Sequence, residues 1–209
     1  MSRRLDNLDP ERQARLFESA TEEFAAHGFD GASLNRILAK SGMGKSSLYY
    51  YFDDKADLFV TLIERSMAIL FREIGGLEPE RLTAQDYWSS FEELYGRAVR
   101  FFTANAWLAR FGDMFYALRG RSAGGAATGR IFEAARGWVT TLLTRGQALG
   151  VVRADLPQSL LIDMTMALLE SLDRWVVRHW GELDTAARAA MPSQHIALLH
   201  GLLAPPPET

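Results

Sequence analysis

Cysteine is absent from the chain, which removes disulfides, thiolate metal sites and a cysteine nucleophile together. Histidine is scarce: His27, His179, His195 and His200 stand at no ligand spacing, and the last two, five apart, do not share a helix face. Neither a nucleophile elbow, nor a phosphate loop, nor paired carboxylates in a suitable setting is found. The expectation is therefore a protein that is not an enzyme and holds no metal or cofactor. No apolar run is long enough to span a bilayer. Met1 to Pro10 is polar and has no apolar h-region, so a secretory signal is not expected. Together these absences point to a cytoplasmic protein with no membrane partner. An excess of basic charge is missing too. The net charge is −3, and through Val60 eight Lys/Arg face ten Asp/Glu. Bulk charge alone thus argues mildly against nucleic acid as a partner.

What is there is apolar and helical. The 209 residues are 48% hydrophobic, enough for a real core and against disorder. Asp9 can cap and Pro10 can open a first helix, with Leu16, Phe17, Ala20 and Phe24 as its buried stripe and an end at Gly28. Two short helices occupy Ser33 to Phe52. Lys55 opens a longer one, with Leu58, Phe59, Leu62, Ile63, Met67, Leu70 and Phe71 at threes and fours. After the break at Gly75 to Pro79, Thr83 is the expected cap of the next helix, and another is read from Asn105 to Leu118. Gly120 to Thr128 reads as a loop. A helix from about Gly129 ends at Gly150, one runs from Pro157 to about Trp180, and the last lies between Asp184 and Leu203, where Pro192 should break or kink it. The expected class is all-α with about nine helices and no strand. Residues 1–57 form a three-helix head, 58–204 a helical second domain, and 205–209 a disordered tail.

The stretch from Ser33 to Phe52 organises the rest. Ser33 can accept from the free amides of a first turn, and Gly42 stands where a sharp turn needs a left-handed backbone. In the helix that follows, Leu48 and Phe52 point one way into a core, while Lys45, Ser46, Tyr50 and Tyr51 are left on other faces. One helix braces and the next offers a polar, aromatic face: the layout of a helix-turn-helix that meets the DNA major groove. Lys45 can reach a phosphate or a guanine edge, Ser46 and Ser47 can donate to phosphate or base, and Tyr50 and Tyr51 can bond phosphate and lie against a thymine methyl. Ser33, Asn35, Arg36 and Lys55 complete the candidate DNA-binding set. Glu11, Glu18, Glu22 and Glu23 are placed on the first helix, away from that face.

Four pieces in fixed order carry a resemblance. They are Gly28-Phe29-Asp30-Gly31, Ser33-Leu34-Asn35-Arg36-Ile37, Ser41 through Phe52, and Lys55 with Leu58. Phe24 to Phe59 resembles the DNA-binding domain of the tetracycline-repressor (TetR) family. Leu38 and Ser41 stand where that family usually has alanine and Met43 where it usually has valine, departures that touch packing. Tyr49 matches a family position that contacts phosphate. The resemblance covers about a quarter of the chain. It implies a dimeric repressor of double-stranded operator DNA, released by a small-molecule effector held in the second domain.

The second domain holds most of the aromatics. Met67, Phe71, Trp88, Phe91, Tyr95, Trp107, Phe111, Phe115, Trp138 and Trp175 are candidates to wall a pocket for an apolar or aromatic ligand. Arg110, Asp113, Glu133 and Glu170 are candidates to fix a polar end of that ligand. Taken by themselves these residues read more readily as plain core, and the resemblance is what implies an effector cavity in the region. The segment from Leu160 to Val176 is apolar on more than one face, as is Ile196 to Leu203, which suggests burial against a second copy. Leu161, Leu168, Leu172, Val176, Ile196, Leu199 and Leu203 are the candidate interface of a two-fold homodimer. The alternative function is an architectural or protein-recruiting DNA-binding factor of the same fold with a filled second domain.

Overall fold

The computed structural model describes residues 5, 8–105, 112, 114–116 and 125–207, without the side chains of 70, 71 and 125–127. Among these residues every regular element is helical. In order they are α1 (Pro10–Gly31), α2 (Leu34–Ser41), α3 (Lys45–Tyr51), α4 (Lys55–Ile74), a 3₁₀ turn at Pro79–Arg81, α5 (Tyr87–Ala104), α6 (Gly125–Ala148), α7 (Gln158–His179) and α8 (Thr185–Leu203). The all-α expectation holds. Residues 112 and 114–116 are also helical, inside the stretch where a helix is expected from Asn105 to Leu118. Most of that stretch, and residues 120–124 of the expected loop, lie outside the described residues. The next helix starts at Gly125, ahead of the Gly129 read from the sequence.

The chain divides into two compact units, Met1–Ala68 with Arg110–Arg130, and Ile69–Ala109 with Ile131–Thr209. In the first, Asp9 caps α1 by accepting from the Arg12 amide at 3.1 Å, and Pro10 takes the first turn, where its missing N–H costs nothing. Gly28 breaks the helix with φ 67°, and one further turn leads to Ala32. Leu16, Ala20 and Phe24 are buried as their spacing requires. Phe24 meets the Phe59 ring edge-on at 4.9 Å and stacks on Phe29 at 6.1 Å. Because Leu58, Phe59, Val60 and Leu62 of α4 are all buried, the early turns of α4 serve this core. The division accordingly falls between Ala68 and Ile69, later along α4 than the 57/58 boundary read from the sequence.

The second unit has its main core where Leu82, Tyr87, Leu142, Leu143, Leu161 and Leu203 meet, with α5 packed along α8. Two expectations are corrected. Helix α5 starts at Tyr87, not at a cap on Thr83: the Asp86 carboxylate accepts from the Thr83 amide at 2.8 Å and closes a turn ahead of the helix. Pro192 neither ends nor splits α8, which is continuous through it. Its ring is buried and lies opposite Gly96 of α5, where a Cβ would sit 4.0 Å from the proline Cγ. Apolar burial against the small residue offsets the hydrogen bond that proline cannot make.

Gly146 of α6 is a close-approach point. A Cβ there would lie 2.4 Å from Val152 Cγ2 and 2.7 Å from the Tyr87 hydroxyl. That hydroxyl cannot move freely, because it donates to the Leu142 carbonyl at 2.9 Å. Alanine would add about 1 kcal/mol of helix propensity, but overpacking of about 1–3 kcal/mol opposes it. Gly146→Ala is expected to lower the stability of the second unit by up to about 2 kcal/mol. Chemical unfolding followed by near-ultraviolet absorbance checks this; an unchanged midpoint refutes it.

Candidate nucleic-acid interface

Helices α2 and α3 form as their ends dictate. The Ser33 hydroxyl accepts from the Arg36 amide, and Gly42 takes φ 69° at the C-cap of α2. Helix α3 has no side-chain cap at Gly44; Leu48 and Phe52, both buried, hold it against the unit. Its remaining residues therefore face outward. Lys45, Ser46 and Ser47 are exposed, as are Tyr49 at 50% and Tyr50 at 55%. Tyr51 is half-buried and supports Tyr50 by an edge-on ring contact at 5.0 Å. A groove of about 200 Å³ runs between the two helices, lined by Ser33, Leu34, Asn35, Leu38, Lys45, Leu48 and Tyr49. Ammonium, hydroxyl, amide and phenol groups thus converge on one shallow recess, a set suited to phosphate oxygens and base edges.

Two sequence candidates have other work. The Arg36 guanidinium donates to Glu23 Oε1 at 2.8 Å and to the Gly31 carbonyl at 2.8 Å. Lys55 Nζ donates to the carbonyls of Asp30 and Ala32, at 3.2 and 3.1 Å, and sits 4.9 Å over the Phe29 ring. Both cations brace the loop ahead of α2, a task within the chain beside the one read from the sequence. Glu23 is the residue that sequence reasoning misplaced. It is only 3% exposed, and the Arg36 hydrogen bond holds its carboxyl below the usual carboxylate range against the opposing effect of burial. The signal lay in its register: Glu23 falls seven after Leu16 and three after Ala20, on the buried stripe of α1.

In the second unit an apolar cleft of about 70 Å³ lies between α5, α6, α7 and α8. Of the aromatic candidates, Trp88, Phe91 and Trp138 line it, beside Leu142, Leu169 and Leu199. The two hydroxyls on its wall are satisfied internally. Tyr87 bonds Leu142, burial pushes its phenol up to about 12, and the Thr165 hydroxyl donates to the Leu161 carbonyl at 2.7 Å. One turn beyond Phe91, Tyr95 pairs with buried His195 Nδ1 at 2.7 Å. Burial raises the Tyr95 phenol, with the Asp173 charge adding to it, so the hydroxyl keeps its proton. Met67 and Phe115 belong to the first unit. Trp175 is corrected: it is 48% exposed and stacks on His179 at 4.8 Å instead of lining the cleft. Glu170 pairs with Arg174, and Glu133 is exposed. The Phe71 side chain, Trp107, Arg110, Phe111 and Asp113 lie outside the described residues.

Burial holds His195 below its ordinary 6.5. A base whose folded pKa is depressed binds its proton more tightly in the unfolded chain. Stability is therefore complete above 6.5 and is lost as pH falls through that value. The second unit is expected to melt at lower temperature at pH 5 than at pH 7.5, and His195→Gln should remove most of that difference. Paired calorimetric scans check it; an equal acid sensitivity in the variant refutes it.

The candidate dimer set is also changed by burial. Leu161 is 0% exposed, and Val176, Ile196 and Leu203 are likewise buried within the single chain, which takes them off any surface a second copy meets. Leu168, Leu172 and Leu199 are half-buried, while Leu160, Trp175 and Leu198 stand exposed on α7 and α8. Among the described residues no helix is long and apolar enough to cross a membrane, and no three acidic or histidine side chains are grouped to hold a metal ion.

Residues 16–62 match the family described as bacterial regulatory proteins, tetR family. An HTH-type transcriptional repressor of Streptomyces coelicolor is 43% identical over 60 residues, 28% of this chain and 31% of that protein. The aligned part thus spans about a third of that relative's length. Solved structures match along nearly all of the chain. The fatty acid degradation regulator FadR of Bacillus halodurans superposes with a TM-score of 0.70 at 20% identity, over 90% of this chain and 97% of that one. The transcriptional regulator FadR of Bacillus subtilis, in complex with stearoyl-CoA, gives 0.68 at 18%, over 89% and 96%. At these identities the likeness is one of fold.

Proposed function

We infer, from a head that matches the tetR family of bacterial regulatory proteins, that the chain is a sequence-specific DNA-binding transcriptional regulator that acts as a repressor. The observation that carries this is the outward face of α3. Lys45, Ser46, Ser47, Tyr49 and Tyr50 stand in solvent on a helix held from behind by Leu48 and Phe52. A helix presented this way fits the major groove, with Lys45 and the tyrosines on phosphates and base edges. Two copies paired through the exposed side chains of α7 and α8 would place two heads on successive grooves of a palindromic operator, about 34 Å apart. The effector is a small apolar or aromatic molecule that favours the dimer state whose heads are wrongly spaced, by binding that state more tightly.

Selection of duplexes from a random pool by the purified protein tests the DNA reading. Enrichment of a two-fold symmetric site supports it, and no enrichment even at low salt overturns it. A second reading, a regulator without an effector, is favoured by one observation. The apolar cleft of about 70 Å³ is well below the roughly 300 Å³ and more of ordinary ligand sites. Titrating the operator complex with apolar compounds while following tryptophan fluorescence separates the two. Release by any compound that also quenches Trp88 or Trp138 supports an effector; failure of all of them favours the filled domain.

A further inference from the structure

We propose that Glu23, on the helix behind the DNA-facing pair, is the positioning residue that sets where α2 begins and so fixes the recess that α2 and α3 present. This rests on the DNA-binding reading above and adds to it a residue that touches no DNA. One carboxylate oxygen, Glu23 Oε1, accepts both from the Ser33 backbone amide at 2.9 Å and from Arg36 Nε at 2.8 Å. Ser33 is the N-cap of α2 and also lines the recess with Lys45 and Tyr49. Arg36, one turn on, carries the same guanidinium to the Gly31 carbonyl at 2.8 Å. A single buried oxygen thereby joins α1, the loop ahead of α2 and the first turn of α2.

The geometry is directional, which apolar packing is not. Phe24, Phe29 and Phe59 fill the space behind the loop, but such contacts tolerate small sliding and rotation. A carboxylate shared between a backbone amide and a guanidinium tolerates little. The same loop is held from its other side by Lys55 on the Asp30 and Ala32 carbonyls. His27 Nε2 lies 3.8 Å from Glu23 Oε2. Burying a charged pair is weak evidence of added stability, because an apolar pair of similar size often holds a fold as well. Fixing the register of α2 is what this pair does that an apolar pair would not.

The test uses the full-length protein and four variants: Glu23→Gln, Glu23→Leu, Arg36→Leu and the double Glu23→Leu/Arg36→Leu. Three quantities are read: thermal midpoint, amide hydrogen exchange by residue, and affinity for the duplex selected by the wild type. The double variant is expected to melt within a few degrees of the wild type. Its amides at Ser33 to Arg36 should exchange at least about tenfold faster, those of Leu58 to Ile63 at an unchanged rate, and its affinity should fall about tenfold. Glu23→Gln keeps an oxygen for the Ser33 amide and should recover most of both losses relative to Glu23→Leu. A folded double variant with wild-type exchange at Ser33 to Arg36, or with wild-type affinity, overturns the proposal, as does a Gln variant no better than Leu. If the wild type selects no duplex, the regulator reading fails by itself, and the exchange data still decide whether Glu23 positions α2.

Discussion

Exchanging Lys45 for glutamate is expected to lower affinity for the selected operator at least about 100-fold in ~100 mM salt, with the fold intact. Lys45 stands exposed at the start of α3, on the wall of the recess. The head as a whole is slightly acidic, so electrostatic attraction to phosphate has to come from a few placed cations rather than from net charge. Arg36 and Lys55 are already bonded to Glu23 and to loop carbonyls, which concentrates the role on Lys45. Placing a carboxylate against a phosphate adds repulsion to the lost contact, and like-charge juxtaposition costs several kcal/mol. A paired regulator would carry the change twice. Lys45→Ala should be milder and should reduce the slope of log affinity against log salt by about 1 for each phosphate contact removed. Arg81→Glu, the same charge reversal at an exposed site in the 3₁₀ turn of the second unit, is the control and should leave affinity near that of the wild type. Binding by Lys45→Glu within a few-fold of wild type would remove α3 as the DNA-facing element.

Truncation of Phe24 to alanine is expected to destabilise the first unit by about 3–5 kcal/mol. Phe24 is completely buried, with Phe59 at 4.9 Å and Phe29 at 6.1 Å between ring centroids. Its loss removes the aromatic floor beneath the loop from Gly28 to Ser33, and the neighbouring rings cannot refill it without moving α4. Since domains of this size are stable by only about 5–15 kcal/mol, the loss takes a large share of the head's stability, and DNA binding should weaken on warming toward 37 °C. Urea unfolding followed by circular dichroism gives the magnitude; a loss below about 1 kcal/mol would mean that the three-ring cluster is not the keystone of the head. Phe24→Leu should recover most of the difference, because it leaves a smaller cavity.

Much of the head was legible residue by residue. The Asp9–Pro10 start, the glycine break at 28, the Ser33 cap and the left-handed turn at Gly42 each have a local cause within a few residues, so their signals lie in the chain itself. Glu23 was not legible by residue type: acidic side chains are mostly exposed, and only the partners Ser33 and Arg36, ten and thirteen residues on, make its burial tolerable. The bonds that Arg36 and Lys55 make within the chain were hidden for the same reason. A cation on a DNA-facing segment looks like a phosphate contact until the carbonyls around it are known.

Pro192 and Gly96 make the point in the second unit. A mid-helix proline is locally a break, yet α8 runs on through it with its ring buried opposite Gly96 of α5. Leu161 and Leu203 read as surplus apolar surface for a partner, yet one chain suffices to bury them. By itself, then, the amino-acid order determined the helical class, the helix ends and the outward tyrosine-bearing face, because capping, turn conformation and apolar periodicity act over neighbours in the chain. Which charges are bonded inside, which leucines remain on the surface and how small the apolar cleft is were decided by tertiary structure. Those depend on residues ten to a hundred positions apart meeting in space, and no periodicity encodes such a meeting.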